Sequence, residues 1–130
     1  MTSSNASRTI LSPAQTDQAP AAIGPYSQAI RAGNLLFLSG QIALDPATGE
    51  LAGGGFEAEV EQAMRNMLAV VEAAGAKRSD IAKLTLFLTD LANFPVANDA
   101  MKRHFEAPYP ARSTVGVASL PRGAQFEIEA

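Results

Sequence analysis

Apolar residues recur at three- and four-residue steps from Phe56 through Val60, Met64, Met67 or Leu68, Val71 and Ala74, while Glu57, Glu61, Arg65 and Glu72 fall largely elsewhere. That spacing predicts an amphipathic helix with one buried stripe. Gly75 supplies its C-terminal stop, since glycine takes the left-handed conformation without a Cβ penalty. The rhythm then changes to period two. From Ile81 to Thr89 the residues Leu84, Leu86 and Leu88 share one pleat face, which predicts a strand, and Phe87 on the opposite face predicts burial on both sides. Asn93 can cap a second helix with Pro95 tolerated in its first turn. It runs through Val96, Ala97, Met101 and Phe105 until Pro108 and Pro110 stop it.

Shorter strand patterns flank these three elements. Tyr26 to Arg31 and Leu35 to Ser39 surround Ala32-Gly33-Asn34, where Gly and Asn can supply positive φ, so the pair reads as a β-hairpin. Ala14 to Pro25 mixes Pro, Ala and polar residues without period and reads as an irregular lead-in. Asp45-Pro46-Ala47-Thr48-Gly49 and the Gly53 to Gly55 triplet are loop formers. At the other end, Arg112 to Ser119 and Ala124 to Ala130 are separated by Leu120-Pro121-Arg122-Gly123 and read as a closing hairpin. The predicted order is two strands, a long helix, a strand, a helix and two strands. That order argues an α+β domain with both helices on one face of a mixed sheet.

Composition narrows the function classes. A chain of 130 residues that is 47% hydrophobic and 18% charged can bury one core, so residues 9–130 read as one domain and residues 1–8, Ser-rich, as a frayed terminus. Net charge is −3, which gives no general attraction to phosphate backbones or anionic membranes and disfavours a nucleic-acid role. Cysteine is absent, so disulfides, thiolate nucleophiles and thiolate metal sites are excluded. Apolar runs such as Leu35 to Leu38 fall far short of the ~20 residues of a membrane span, and the expectation is a cytoplasmic protein. The single histidine, His104, has no histidine partner for a metal site or triad and reads as a solvent-facing helix residue. Glu57, Glu59 and Glu61 read as a solvated helix start that suits the macrodipole. Gly53-Gly54-Gly55 lacks the Lys-Ser/Thr end of a phosphate loop.

One segment stands apart. In Pro110-Ala111-Arg112-Ser113-Thr114-Val115 an arginine opens a strand directly after a proline-fixed turn. A guanidinium offers a planar two-donor fork that matches a carboxylate and stays charged at any working pH. From the residues alone, a surface or salt-bridging arginine explains it as well.

Several pieces in order change that balance: Ala21-Ala22-Ile23-Gly24-Pro25-Tyr26-Ser27-Gln28-Ala29, Ser39-Gly40-Gln41-Ile42, Val71-Glu72-Ala73-Ala74-Gly75, Pro110-Ala111-Arg112-Ser113, and Leu120-Pro121 with Glu127-Ile128-Glu129-Ala130. Together they resemble the Rid (YjgF) family of imine and enamine deaminases across nearly the whole chain after residue 9. The resemblance implies a chorismate-mutase-like fold of the bacillus type, a homotrimer with ligand clefts between subunits, and no cofactor or metal. It implies that Arg112 binds a substrate carboxylate and that Glu127 positions or activates water. Tyr26 and Asn98 would line the cleft, and Ser39, Gly40 and Pro121 would enter it from a neighbouring subunit. Thr114 stands where several members carry cysteine, so only its backbone N–H could serve there. The family's last strand runs slightly past the position of Ala130.

The implied activity is hydrolysis of 2-imine and 2-enamine acids, such as 2-aminoacrylate, released by pyridoxal-phosphate enzymes, to 2-keto acid and ammonia. A non-catalytic trimer that binds small carboxylates is the main alternative; an endoribonuclease or translation inhibitor, or a holdase, are others. If Leu120 pairs with Gly123 in the closing hairpin, Arg112 and Glu127 share a face about 13 Å apart.

Overall fold

Alternation in Lys83-Leu84-Thr85-Leu86-Phe87-Leu88 sends three leucines to one side, and in the computed structural model, which describes residues 11–130, Leu84, Leu86 and Leu88 are all 1% exposed or less. The element order is β1 (Leu11–Ala14), β2 (Ala29–Ala32), β3 (Leu35–Leu38), α1 (Phe56–Ala73), β4 (Lys83–Leu88), α2 (Phe94–His104), β5 (Ala111–Gly116) and β6 (Phe126–Glu129). The expectation for residues 1–8 lies outside the described residues.

β1, β2 and β3 form an antiparallel meander. The β2–β3 turn uses Gly33 at φ 63°, the first central position of a two-residue hairpin turn, where a side chain would be strained. In the second ladder β4 is central, parallel to β5 and antiparallel to β6. The ladders join because Gln41 and Ile128 exchange backbone hydrogen bonds of 2.8 and 3.0 Å and the Leu38 N–H donates to the Ala130 carbonyl at 2.9 Å. β6 therefore lies between β3 and β4, and the strands form a mixed sheet. Helices α1 and α2 cover one face, with Val60, Met64, Met67 and Val70 of α1 and Ala97 and Ala100 of α2 entirely buried against Leu86, Phe126 and Ile128. Each large apolar side chain buried there contributes about 1.5–3 kcal/mol of transfer free energy.

Three buried polar side chains anchor loops to this core. Asn66 is 0% exposed and donates to the carbonyls of Ile42 (3.1 Å) and Leu44 (2.8 Å), while its own oxygen accepts from Gln62. Gln28 accepts from the Thr16 N–H and donates to the Thr16 and Pro20 carbonyls, stitching the lead-in segment to β2. Glu59, 3% exposed, accepts from both the backbone and side-chain N–H groups of Gln125 at 2.9 Å and so ties the first turn of α1 to the entry of β6.

β6 pairs with β4 between Thr85 and Leu88, and Lys83 and Leu35 to Phe37 of β3 line a cleft of ≈ 900 Å³. Val71, Ala74 and Ile81 line that cleft.

The order from the long helix onward, helix, strand, helix and two strands, holds, as do both helices on one face and the irregular lead-in from residue 15 to Pro25. Five local expectations need correction. The last two strands do not form a hairpin, because β4 lies between β5 and β6 and takes up the inward edge of each. Three strands rather than two precede α1, the additional one being β1, whose Pro13 argues against an interior strand but is tolerated at the sheet edge it occupies. Asp90, not Asn93, does the capping: its side chain accepts from the Ala92 N–H at 2.9 Å and opens a short 3-10 turn that runs into α2. Glu59 is buried rather than solvated, as described above. His104 is not solvent-facing; its ring nitrogen lies 2.9 Å from Glu61 and links the two helices. Burial alone would raise the Glu61 carboxyl, but its bonds to His104 and Arg103 outweigh that and hold it below the ordinary carboxylate range. No helix of the described residues is long and apolar enough to cross a membrane.

Replacing Asn66 with alanine strands two inward-facing carbonyls, at a cost on the order of 2–4 kcal/mol. Urea unfolding of Asn66→Ala should show that loss with an unchanged denaturant slope.

Candidate active site

β4 sets the orientation of Arg112, since Leu84 is its partner in the parallel ladder and paired residues share a face. Leu84 is buried under the helices, so Arg112 also emerges on the helix side, at the outer edge of the sheet. There α2 meets it. Phe94 and Asn98, one helical turn apart, both face β5. The Asn98 side-chain oxygen accepts from Arg112 Nη2 at 2.8 Å, and the guanidinium carbon sits 5.5 Å from the Phe94 ring centroid. The ring covers one flat face of the guanidinium, a contact worth about 0.5–1 kcal/mol at an exposed site. Whichever Nη2 hydrogen Asn98 takes, one two-donor edge of the fork is left free.

Arg112 lines a groove of ≈ 370 Å³. Leu84, Met101 and Phe105 form its apolar floor, and Asn98, Lys102 and Tyr109 share its rim with Arg112. Thr114 lies two residues further along β5 on the same face, and its hydroxyl is buried without a hydrogen-bond partner. Phe94 was not singled out by sequence reasoning; its i, i+4 spacing to Asn98 was the available signal, but without the fold nothing indicated that this stripe of α2 faces β5.

Glu127 belongs to a second cluster. It pairs with Phe87, so it emerges on the sheet face away from the helices. Gly40 packs directly on it, and a Cβ at that position would push the Glu127 carboxylate aside. Ser39 is held on both sides: its N–H donates to the Gln28 carbonyl at 2.9 Å and its hydroxyl to the Ser27 carbonyl at 2.6 Å. Tyr26, 52% exposed, follows a tight turn at Gly24. Pro121 opens a 3-10 turn between β5 and β6, and Arg122 in that turn donates to the Gly49 carbonyl at 3.1 Å. Burial, and then the negative charge of Glu129, raise the Glu127 carboxyl above its ordinary value.

The predicted residues thus fall into two groups within one chain. Arg112 and Asn98 touch, with Thr114 on the same face, and Glu127 and Gly40 touch, with Ser39 next in the chain. Arg112 and Glu127 do not share a face, contrary to the hairpin geometry, because they flank β4 from opposite sides and three residues apart in its register. Among the described residues no group of three or more His, Asp or Glu side chains is placed to hold a metal ion.

Comparison with known proteins gives the class. The model of the family described as Endoribonuclease L-PSP matches residues 16–130. A Dermatophagoides farinae protein named 2-iminobutanoate/2-iminopropanoate deaminase is 53% identical over 114 residues, spanning 88% of this chain and 89% of its own. The crystal structure of RidA from an Antarctic Psychrobacter superposes with a TM-score of 0.87 at 47% identity, covering 91% of this chain and 95% of that one. E. coli TdcF, crystallised with bound serine, gives a TM-score of 0.87 at 42% identity over 92% of this chain and 95% of that one. The chain belongs to the Rid (YjgF) family.

Glu129 sits two residues from Glu127 on the same strand face, so removing its charge stabilises the ionised form of Glu127. In Glu129→Gln the Glu127 carboxyl should titrate at lower pH than in the wild type, as read by carboxyl-carbon NMR; an unmoved midpoint would assign the shift to burial alone.

Proposed function

We propose that this chain hydrolyses reactive 2-imino acids, and the 2-enamino acids that tautomerise to them, to 2-keto acids and ammonia. One observation carries the reading: Arg112 lines a groove and is held there by Asn98 and Phe94 with a two-donor edge unpaired. Such an edge suits a small carboxylate. The name of the D. farinae relative and the amino acid bound to TdcF fit the same ligand chemistry.

The site is completed between copies. Arg112 and Glu127 lie on opposite faces, so no small molecule bridges them within one chain, whereas the Arg112 edge of one copy against the Glu127 face of another would bring them to one cleft. That second face is apolar enough to seat a partner: Phe37 of β3 is 57% exposed and Val115 of β5 39%. A chorismate-mutase-like homotrimer with three such clefts satisfies this requirement, because each copy presents both surfaces and a ring closes on itself. Tyr26, Ser39, Gly40 and Pro121 would then come from the Glu127 copy, and Asn98 and Thr114 from the Arg112 copy.

In the cleft, Arg112 fixes the carboxylate and therefore the adjacent C2 carbon. Glu127 takes a proton from water as the water oxygen bonds to C2 and the C=N π pair moves to nitrogen. The amine nitrogen is then protonated, the C–N bond breaks as the hydroxyl proton leaves, and ammonia departs from the 2-keto acid. A raised carboxyl suits this role, since a stronger base takes the proton from water more readily. Imines shed by pyridoxal-phosphate enzymes in the cytoplasm are the substrates that fit. Net charge −3 weighs against an RNA-cleaving role.

In an assay where a pyridoxal-phosphate dehydratase generates the imine, wild-type protein should speed 2-keto acid release, and Arg112→Ala should lose at least 100-fold in kcat/KM with an unchanged circular-dichroism spectrum, on the order of what a desolvated, charge-assisted contact supplies. Carboxylate binding without acceleration would instead favour a non-catalytic carboxylate-binding trimer. Refolding Arg112→Ala together with Glu127→Gln should restore roughly a quarter of wild-type activity, because one cleft in four then receives both intact residues. Mixtures no more active than either parent would rule out the shared site.

A further inference from the structure

Beyond the carboxylate grip, the groove under Arg112 has a charge pattern that the reaction itself does not require. Of the residues that line it, only Arg112 and Lys102 are charged, and both are positive. This concentration of positive charge occurs in a chain whose net charge is −3. Lys102 forms no salt bridge among the described residues; the ion pairs there are Arg103 and His104 with Glu61. Its acidic neighbours in the chain, Asp99 on α2 and Glu106 just beyond it, do not line the groove.

The spacing is informative. Lys102 follows Asn98 by four residues, so the two share a face of α2 with Lys102 about 6 Å further along the axis. Asn98 is bonded to Arg112 at 2.8 Å, which makes it a fixed reference for the guanidinium. The two carboxylates of an extended five-carbon diacid lie roughly 5 Å apart by ordinary bond lengths. Between the cations the floor is Leu84, Met101 and Phe105, which suits a short methylene chain and offers no acceptor to compete for either charge. A pocket of one sign with low-dielectric walls concentrates the opposite charge.

We propose that Lys102 and Arg112 form a two-cation subsite that selects 2-imino acids carrying a second, distal carboxylate, with Arg112 on the carboxylate next to the reacting carbon and Lys102 on the far one. This rests on the deaminase reading for turnover but not for binding, and the test separates the two. Binding is measured by calorimetry at low salt for 2-ketoglutarate and for 2-ketopentanoate, which has the same chain length and no distal charge. The diacid should bind about tenfold more tightly to wild type; Lys102→Met should remove the difference and leave 2-ketopentanoate unchanged, and Lys102→Glu should reverse the preference. In turnover, the imine of glutamate should outrun the imine of glutamine about tenfold in kcat/KM, a ratio that Lys102→Met abolishes without altering the glutamine imine. Diacid preference without turnover upholds the subsite and sinks the enzyme reading. Equal binding of the two keto acids, or a Lys102→Met variant that weakens both alike, overturns the subsite whatever the turnover.

Discussion

The pairing of β4 with two different neighbours is the constraint on which the rest of the structure depends. Its three leucines fix one face to the helices, and its register then dictates what every adjacent strand exposes. Through Leu84 it turns Arg112 toward α2, and through Phe87 it turns Glu127 away. A one-residue shift between β4 and β6 would turn Glu127 into the core, at a cost far beyond that of any single contact, and one between β4 and β5 would turn Arg112 away from α2. The separation of the two clusters therefore follows from strand pairing, and the proposal of a site shared between copies follows from that separation.

Much of the fold was legible because periodicity reports burial directly. The apolar stripe from Phe56 to Ala74 became α1, and the alternation from Leu84 to Leu88 became the central strand. What failed was pairing. Two consecutive strand patterns joined by a Pro-Gly turn look like a hairpin from local spacing, and nothing local states that β4, more than twenty residues earlier, lies between them. β1 was missed for a related reason: Pro13 and its polar neighbours are acceptable only because the strand sits at an edge, and edge status belongs to the whole sheet.

At the candidate site the same divide holds. Arg112 was conspicuous because a proline turn precedes it, and the motifs around it pointed to the family. The contact between Gly40 and Glu127 could not be read from residues 87 positions apart. The polar anchors were equally hidden: Glu59 resembles any solvated helix-start acid until Gln125 is seen to present two donors to it, and Asn66 lies on the buried stripe where an apolar residue would be expected. Such residues hold loops in place where hydrophobic patterning has no information to give. Asn66 grips the segment that follows Gly40, and Gln28, whose carbonyl receives the Ser39 N–H, grips the lead-in segment, so the chain on either side of Gly40 is anchored.

The bonds of Glu61 to Arg103 and His104 have a consequence of a different kind. They tie the last turn of α2 to α1, at the end of α2 opposite to Phe94. Because α2 carries both residues that hold Arg112, this clamp acts as a distant pin for the guanidinium. α1 lines no part of the groove under Arg112, yet through the pin it shares in setting where a ligand's charge would rest.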